Sequence, residues 1–220
     1  MYSVYRYVSV VAVVPPKKKQ KTMPEKILST ALELYLSNGI SAVSMRRIAQ
    51  KLHITAMALY RHFPNKDAIL LALVEQGFTV FGEYQYRALA GKTAAERLLL
   101  AGKAFVDFVV ENPKIFRLIF MSPDIFQKVH NEGSVGIRAH QTYQFLLDRV
   151  ADGMREGFLK EGTNEEVARA IWGLCHGMAS LYVIGMLDVQ ESEFRAMFMS
   201  AFLQMGSGIL VDATLEKFTV

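Results

Sequence analysis

The chain is poor in cysteine, proline and glycine: its 220 residues include one Cys, six Pro and fifteen Gly. A single thiol, Cys175, excludes an internal disulfide framework and a zinc site built from several cysteines. Because Cys175 stands in an apolar run, we expect a buried, unreactive thiol in a reducing, cytoplasmic setting. Hydrophobic residues make up 51% of the chain, a balance typical of a compact helical protein.

The residue patterns that commonly carry enzyme chemistry are also missing. The sequence has no phosphate-cradling glycine loop and no closely spaced pair of metal-binding His or carboxylate residues. Cys175 and His176 are adjacent, and adjacent side chains on a helix point about 100° apart, so the two cannot directly form a nucleophile and its base. We therefore expect no cofactor, no metal and no catalytic residue, with a helical catalytic domain as the alternative.

Positive charge is concentrated in the first third of the chain. Residues 1–66 hold eleven Lys and Arg against two Glu, a net charge of +9, whereas the remainder holds fourteen against nineteen acidic residues, a net charge of −5. A basic module attached to an acidic remainder indicates binding to nucleic acid or to a membrane surface. The alternative is a solvated charged surface without a partner.

Residues 1–22 are predicted to be a disordered basic extension. The uncharged stretch 8–14 precedes the lysines between Lys17 and Lys21, which reverses the order found in a signal peptide, and it is too short to span a bilayer. The lysines could contact the DNA backbone as an arm. A further hypothesis makes Met23 the working start of the protein.

From Pro24 onward, apolar residues recur at helical spacing. Ser44 and Thr55 are predicted to cap two short helices, separated by a break at His53. The second of them is predicted to stop at Phe63-Pro64, and Asn65 to cap a long helix that starts near Lys66. Two short helices joined by a tight turn form a helix-turn-helix, which places this motif at 44–63.

The stretch from Ser44 to Leu70 carries an unusual combination of residues: Ile48-Ala49, Leu52, Ile54-Thr55, Leu59-Tyr60, His62-Phe63 and Lys66. This pattern resembles the DNA-binding module of TetR-type (tetracycline repressor family) regulators, and the likeness extends back to Pro24. The turn glycine of the family is His53 here. Because His tolerates a left-handed backbone better than most residues, we expect a small energetic cost and the same fold.

A second resemblance lies at 171–177, where Trp172 and His176-Gly177 are similar to the Trp...His-Gly signature of one group of C-terminal domains in the TetR family. The family likeness implies an all-α homodimer with an N-terminal three-helix helix-turn-helix module and a larger helical effector-binding and dimerisation domain. We place the DNA-binding domain at 23–82 and the ligand-binding and dimerisation domain at 83–220.

The DNA contacts are assigned by side-chain chemistry. Base edges are expected to meet the start of the third helix at Thr55, Ala56, Met57 and Ala58. Thr55 can donate or accept a hydrogen bond, and the other three present methyl and thioether surface for thymine methyl groups. Arg46 can grip guanine O6 and N7 with two hydrogen bonds and is the expected specificity residue. Phosphate contacts are assigned to Ser44, Arg47, Tyr60, His62 and Lys66. Tyr60 and His62 could alternatively pack against the first helix.

Further helices are predicted at 66–90, 94–111, 113–121, 123–131, 134–158, 164–187 and 191–211. The runs 170–187 and 196–211 contain no charged side chain, which raises a membrane hairpin as one interpretation. Polar residues such as His176 and Gln204 oppose it. A helix that is apolar on two faces is instead buried against its own core and against a partner. We therefore predict a homodimer through helices 164–187 and 191–211, and no membrane.

An effector pocket is predicted between helices of the second domain, with the candidates Phe81, Phe105, Phe108, Phe116, Phe120, Tyr143, Trp172 and His176. Such residues are also ordinary core, which is the alternative. The predicted function is a sequence-specific transcriptional regulator, in its simplest form a cytoplasmic repressor released from a palindromic double-stranded DNA operator by a small apolar or aromatic effector. The alternative is an architectural DNA-binding protein without an effector.

Overall fold

The computed structural model describes residues 21–122, 133–160 and 162–209. These residues form the α-helices α1 (Met23–Asn38), α2 (Met45–Lys51), α3 (Ala56–Tyr60), α4 (Lys66–Tyr86), α5 (Ala94–Glu111), α6 (Pro113–Phe120), α7 (Gly133–Arg155), α8 (Asn164–Val183) and α9 (Glu191–Ile209). Single 3-10 turns at Ile40–Ala42 and Arg87–Ala90 follow α1 and α4. Within these ranges no residue belongs to a β-strand, and the predicted all-α class is confirmed.

The first three helices pack together on the first half of α4. Their shared core is made of large aliphatic side chains that are fully buried, one from each helix: Ile27, Ile48, Leu59 and Ile69. Burying a side chain of this size stabilises the fold by about 1.5–3 kcal/mol. Helices α2 and α3, with seven and five residues, are too short to be stable alone and are thereby fixed against α1 and α4.

Side-chain caps determine where the short helices begin. Ser44 Oγ accepts a hydrogen bond from the amide of Arg47 at 3.2 Å, and Thr55 Oγ1 accepts one from the amide of Ala58 at 3.1 Å. Asn65 Oδ1 does the same for Ala68 at 2.8 Å, at the start of α4. These caps match the sequence predictions, and each contributes about 1 kcal/mol to its helix.

The second half of α4 enters a bundle with the remaining helices. It packs against α5, α6 and α7, while α8 packs against α5, α7 and α9. On α9, the side chains of Phe194, Phe198 and Phe202 recur at four-residue spacing and are all buried. Their spacing places them on one face of the helix, which turns inward onto the bundle core.

Several helices end earlier than the sequence predicted. Helix α8 ends at Val183 and not at 187, because Gly185 adopts φ 78° and the amide of Met186 bonds back to the carbonyl of Leu181 at 2.9 Å. Helix α7 ends at Arg155 in the same way, with Gly157 at φ 74°. Both are glycine-terminated helix ends of the Schellman type. Helix α3 ends at Tyr60, before the predicted stop at Phe63-Pro64.

Some predictions fall outside the described residues: the helix at 123–131, nearly all of the extension 1–22, and the last two residues of the helix at 191–211. Of the helices that are described, none is both long and apolar enough to cross a membrane. The predicted domain boundary at residue 82 lies inside α4, which runs continuously from Lys66 to Tyr86.

Candidate nucleic-acid interface and effector site

The turn between α2 and α3 depends on a left-handed residue. His53 has φ 55°, and it is the one non-glycine residue with a positive φ in the described part of the chain. Its amide bonds to the carbonyl of Gln50 at 3.2 Å, and the amide of Ile54 bonds to the carbonyl of Ala49 at 3.0 Å. This is the hydrogen-bond pattern of a Schellman motif with His in the glycine position. The expectation that His53 would take the role of the turn glycine is confirmed.

Helix α3 buries one side chain and exposes the others. Leu59 is fully buried, whereas Thr55 and Ala56 are exposed, Ala58 is half-buried and Met57 is 70% exposed. A methionine so exposed contributes little to the core of the chain itself. The four residues predicted to meet base edges therefore lie at the start of the helix, with only Ala58 partly covered.

The two arginines of α2 lie beside this helix and are both exposed. No described residue bonds the guanidinium of Arg46, while Arg47 reaches the carbonyl of Ala42 only at a long 3.5 Å. On the same helix, Lys51 pairs with Glu33 of α1 at 2.9 Å. The cationic groups available to an external anion on α2 are thus Arg46 and Arg47.

The remaining phosphate candidates differ in their availability. Tyr60 is 50% exposed and His62 is exposed, so neither side chain is buried by packing against α1. Ser44 uses its oxygen as the cap of α2. Lys66 is half-buried, and its ammonium donates to the carbonyl of Ile40 at 2.7 Å. This bond holds the start of α4 against the 3-10 turn that follows α1, and it uses only one of the ammonium hydrogens of Lys66.

The second domain contains an aromatic cluster that unites all eight side chains predicted for the effector pocket. Neighbouring rings are joined by centroid distances of 4.2 to 6.2 Å: Phe81 with Phe105, Phe108 and Phe120; Phe116 with Phe105 and Phe120; Trp172 with Phe120, Tyr143 and His176; and His176 with Phe105, Phe116 and Phe120. Most pairs meet edge to face, the geometry that aromatic quadrupoles favour. Phe81, Phe105, Phe108 and Phe116 are buried, while Phe120, Tyr143, Trp172 and His176 are half-buried.

A cavity of about 40 Å³ lies beside the cluster. Its wall includes the predicted residues Phe81, Phe105 and Trp172, together with Gln85, Leu98, Ala101, Gly102, Phe145, Leu146, Ile171, Cys175 and Phe202. Ligand pockets in proteins usually measure about 300–1,000 Å³. A small-molecule effector would therefore have to displace side chains of this wall.

Burial changes the acid–base behaviour of two neighbouring residues on α8. It lowers the pKa of His176 from 6.5 to about 4, and it raises the pKa of the Cys175 thiol to about 12. At neutral pH the imidazole is therefore uncharged and the thiol is protonated. A protonated, buried thiol is a poor nucleophile, in keeping with the inert Cys175 expected from the sequence.

Sequence analysis missed several residues around the cluster. Phe145 and Phe202 line the cavity, and their aromatic side chains at helical spacing were the only signal that could have revealed them. A polar link between the two halves of the chain was also missed, because nothing local marks it: the hydroxyl of Tyr35 on α1 is hydrogen-bonded to that of Ser122, just after α6.

The chain combines an exposed helix-turn-helix on a basic module with a helical domain that has an aromatic core, and α4 joins the two. This combination defines the class of helix-turn-helix transcriptional regulators. Residues 27–73 match the family "Bacterial regulatory proteins, tetR family", and residues 98–204 match "Tetracyclin repressor-like, C-terminal domain". The chain belongs to the tetR family: it is a DNA-binding transcriptional regulator and not an enzyme. Regulators of this family bind DNA operators and dimerise, and many of them bind small-molecule effectors.

Individual relatives are distant but similar over most of their length. An uncharacterized HTH-type transcriptional regulator of Bacillus subtilis, YobS, is 23% identical over 84% of this chain and 92% of its own. The nucleoid occlusion factor SlmA of Escherichia coli is 26% identical over 80% and 87%. Among solved structures, a putative tetR family regulator from Shewanella sp. PV-4 superimposes with a TM-score of 0.67 at 22% identity, covering 87% of this chain and all of that one.

Proposed function

We propose that this regulator is a repressor that reads a palindromic operator as a homodimer and is released by a small, apolar or aromatic effector. The observation that carries the DNA-reading part is the exposed start of α3, where Met57 is 70% exposed, together with the exposed Arg46 on the adjoining helix α2, whose guanidinium no described residue bonds. Thymine methyls suit the apolar surface, and a guanine suits the arginine. Because an operator lies on the bacterial chromosome, we place the protein in the cytoplasm.

Side chains around α3 supply the phosphate contacts. Arg47, Tyr60 and His62 are exposed on the flanks of the reading helix, and Lys66 keeps free ammonium hydrogens beside its bond to Ile40. The starts of α2 and α4 add amide groups at their positive ends, next to the caps Ser44 and Asn65. These groups position the helix on the duplex and carry no sequence information.

A homodimer interface on α8 and α9 is supported by their outward faces. The exposed positions Ala170, Gly173, Gly177 and Leu181 of α8, with Ile184 directly after its end, form one stripe of small and apolar residues. A Cβ added at Gly173 or Gly177 would meet nothing within 4 Å, so a partner helix could approach closely there. On α9, the outward positions Ala196, Met197, Ser200 and Leu203 are likewise uncharged. Pairing these faces across a two-fold axis forms a four-helix bundle.

Helix α6 is the element that could transmit effector binding to the DNA-binding helices. Phe116 and Phe120, on one side of α6, belong to the aromatic cluster. Ile119, on another side, lies against Gly77 of α4, and Ser122 beyond its end bonds to Tyr35 of α1. An effector that separates the rings of the cluster would shift α6, and with it the helix-turn-helix modules of the two protomers. The effector changes operator affinity only if it binds the two arrangements unequally.

The small cavity favours a second candidate function, an architectural DNA-binding protein without an effector. A space of about 40 Å³ holds no ligand of ordinary size without rearrangement. The relative SlmA is named a nucleoid occlusion factor and not a transcriptional regulator. The two functions differ in whether a small molecule changes DNA affinity.

Selection of binding sites from random duplex DNA by the purified protein, at two salt concentrations, tests the proposal. We expect a two-fold symmetric consensus with half-sites one helical turn of DNA apart, about 34 Å. The consensus should persist at the higher salt concentration, where non-specific binding weakens most. A featureless pool that is lost at the higher salt would instead support the architectural function.

A further inference from the structure

A buried, unpaired nitrogen lies at the centre of the aromatic cluster. Nε2 of His176 is shielded from solvent, and no described residue forms a hydrogen bond with it. Its ring is surrounded by Trp172, Phe120, Phe105 and Phe116, with centroid distances of 4.2, 4.5, 5.2 and 5.6 Å. A buried polar atom without a partner is rare in folded proteins and destabilises the fold, so it calls for a partner other than the described residues.

Two of these rings also connect His176 to the cavity. Phe105 and Trp172 contact the imidazole on one side and line the space of about 40 Å³ on the other. Trp172 is only half-buried, so its indole can move at a lower cost in packing than the fully enclosed rings. Displacement of this indole joins the cavity to the imidazole and exposes Nε2 to a ligand.

The surroundings limit the chemistry of such a ligand. None of the residues that line the cavity or form the cluster carries a charge at neutral pH, since burial keeps His176 in its neutral form. A charged ligand group would lose its hydration there without gaining an opposite charge. A neutral imidazole nitrogen can accept a hydrogen bond from a hydroxyl or, in the other tautomer, donate one to a carbonyl.

We propose that His176 is the polar anchor of the effector site, and that the effector is an uncharged, mainly apolar ring compound carrying one hydroxyl or carbonyl group. Gln85 also lines the cavity, but its amide nitrogen already donates to the carbonyl of Thr142 at 3.0 Å. The inference rests on the proposed regulation by an effector. It goes beyond that function in naming the residue that selects the ligand and the class of ligand selected. The aromatic rings supply the affinity, and Nε2 discriminates between ring compounds with and without the polar group.

Three probes of similar shape test this selection: 4-propylphenol, propylbenzene and 4-propylbenzoate. Trp172 is the only tryptophan of the chain, so its fluorescence, excited at the red edge of its absorption band, reports on this site alone. We expect 4-propylphenol to bind about tenfold more tightly than propylbenzene, the factor that one hydrogen bond to an otherwise unpaired buried group supplies. The benzoate should bind more weakly than the phenol.

Variants separate the anchor from a merely structural histidine. His176→Phe keeps an aromatic ring but removes Nε2, so it should bind the phenol and propylbenzene equally well. His176→Gln restores a hydrogen-bonding group and should regain part of the preference for the phenol. His140→Phe replaces an exposed imidazole on α7 and should behave like the wild type.

A preference for the phenol that survives in His176→Phe would overturn the proposal, as would tightest binding of the benzoate. Absence of saturable binding by wild type up to the solubility limit of the phenol would do so as well. Because these titrations contain no DNA, their outcome does not depend on whether the protein binds an operator. If the phenol binds selectively yet leaves operator affinity unchanged, effector control by this class fails while the anchor role of His176 stands.

Discussion

Replacing Gly77 by alanine inserts a methyl group into the contact between α4 and α6. The added Cβ would lie 2.5 Å from Ile119 Cγ2 and 3.2 Å from Ile115 Cγ2, whereas non-bonded carbons pack best at about 3.5–4.0 Å. Ile119 Cγ2 is attached directly to its Cβ, and χ1 of isoleucine is strongly restricted in a helix. The methyl group of Ile119 therefore cannot turn away, and α6 has to move outward by about 1 Å.

Two opposing contributions set the change in the free energy of unfolding of Gly77→Ala. Overpacking of this kind costs about 1–3 kcal/mol, while replacing glycine by alanine inside a helix gains up to about 1 kcal/mol. Gly82 lies on the same helix, and a Cβ added there would meet nothing within 4 Å. The Gly82→Ala variant therefore shows the helix gain alone, and Gly77→Ala should be less stable than Gly82→Ala by about 1–3 kcal/mol.

Urea unfolding of the two variants and the wild type, at one protein concentration, measures this difference. Equal concentration matters because the stability of a dimer depends on it. We expect Gly82→Ala to unfold at higher urea than the wild type and Gly77→Ala at the same or lower urea. If Gly77→Ala were as stable as Gly82→Ala, the close packing of α4 on α6, and with it the proposed route of coupling, would be refuted.

Four further substitutions, in three experiments, probe the site and its supports. Burial lowers the pKa of His176 to about 4, so the unfolded chain takes up this proton first as the pH falls. The contribution of neutral His176 to the free energy of unfolding is complete above about pH 6.5 and is lost toward pH 4. Between about pH 7 and pH 5, the free energy of unfolding should therefore fall by about 2 kcal/mol more in the wild type than in His176→Phe. Urea unfolding at each pH checks this, and equal losses would contradict it. His53→Gly relieves a left-handed backbone and should raise the free energy of unfolding by about 1 kcal/mol; a decrease in thermal stability would show that the imidazole makes a stabilising contact. Tyr35→Phe should lower the free energy of unfolding by about 1 kcal/mol. Ser122→Ala also removes a bond to the carbonyl of Arg117, and it should cost less in the Tyr35→Phe background than in the wild type; additive losses in a double-mutant cycle would argue against the link between α1 and the end of α6.

The sequence predicted those features that depend on neighbouring residues. Ser44, Thr55 and Asn65 cap helices because their side chains reach amides three residues ahead, an interaction that is complete within one helical turn. The role of His53 in the turn was implied by the resemblance to the TetR family, whose turn glycine it replaces. The aromatic character of the second domain was visible as well, since Phe recurs at helical spacing and the single Trp lies in one of these helices.

Features that depend on distant parts of the chain were less accessible. Gly185 ends α8, yet a lone glycine in a continuous apolar run is compatible with both a helix and its end. The cavity brings Gln85, Phe145 and Phe202 together from three helices, and no periodicity along one segment shows which faces meet. The bond from Lys66 to the carbonyl of Ile40 likewise depends on how α1 and α4 cross.

The most direct test of DNA reading compares two adjacent exposed arginines. Arg46→Ala and Arg47→Ala are each measured against the selected operator and against all of its single base-pair variants, at fixed salt. We predict that Arg46→Ala loses about 1–3 kcal/mol of binding free energy on the operator and no longer discriminates at one guanine per half-site. Arg47→Ala should weaken binding uniformly across the sequences, as the loss of a phosphate contact does. A uniform loss for Arg46→Ala, with discrimination intact at every position, would contradict its assignment as the residue that reads the base.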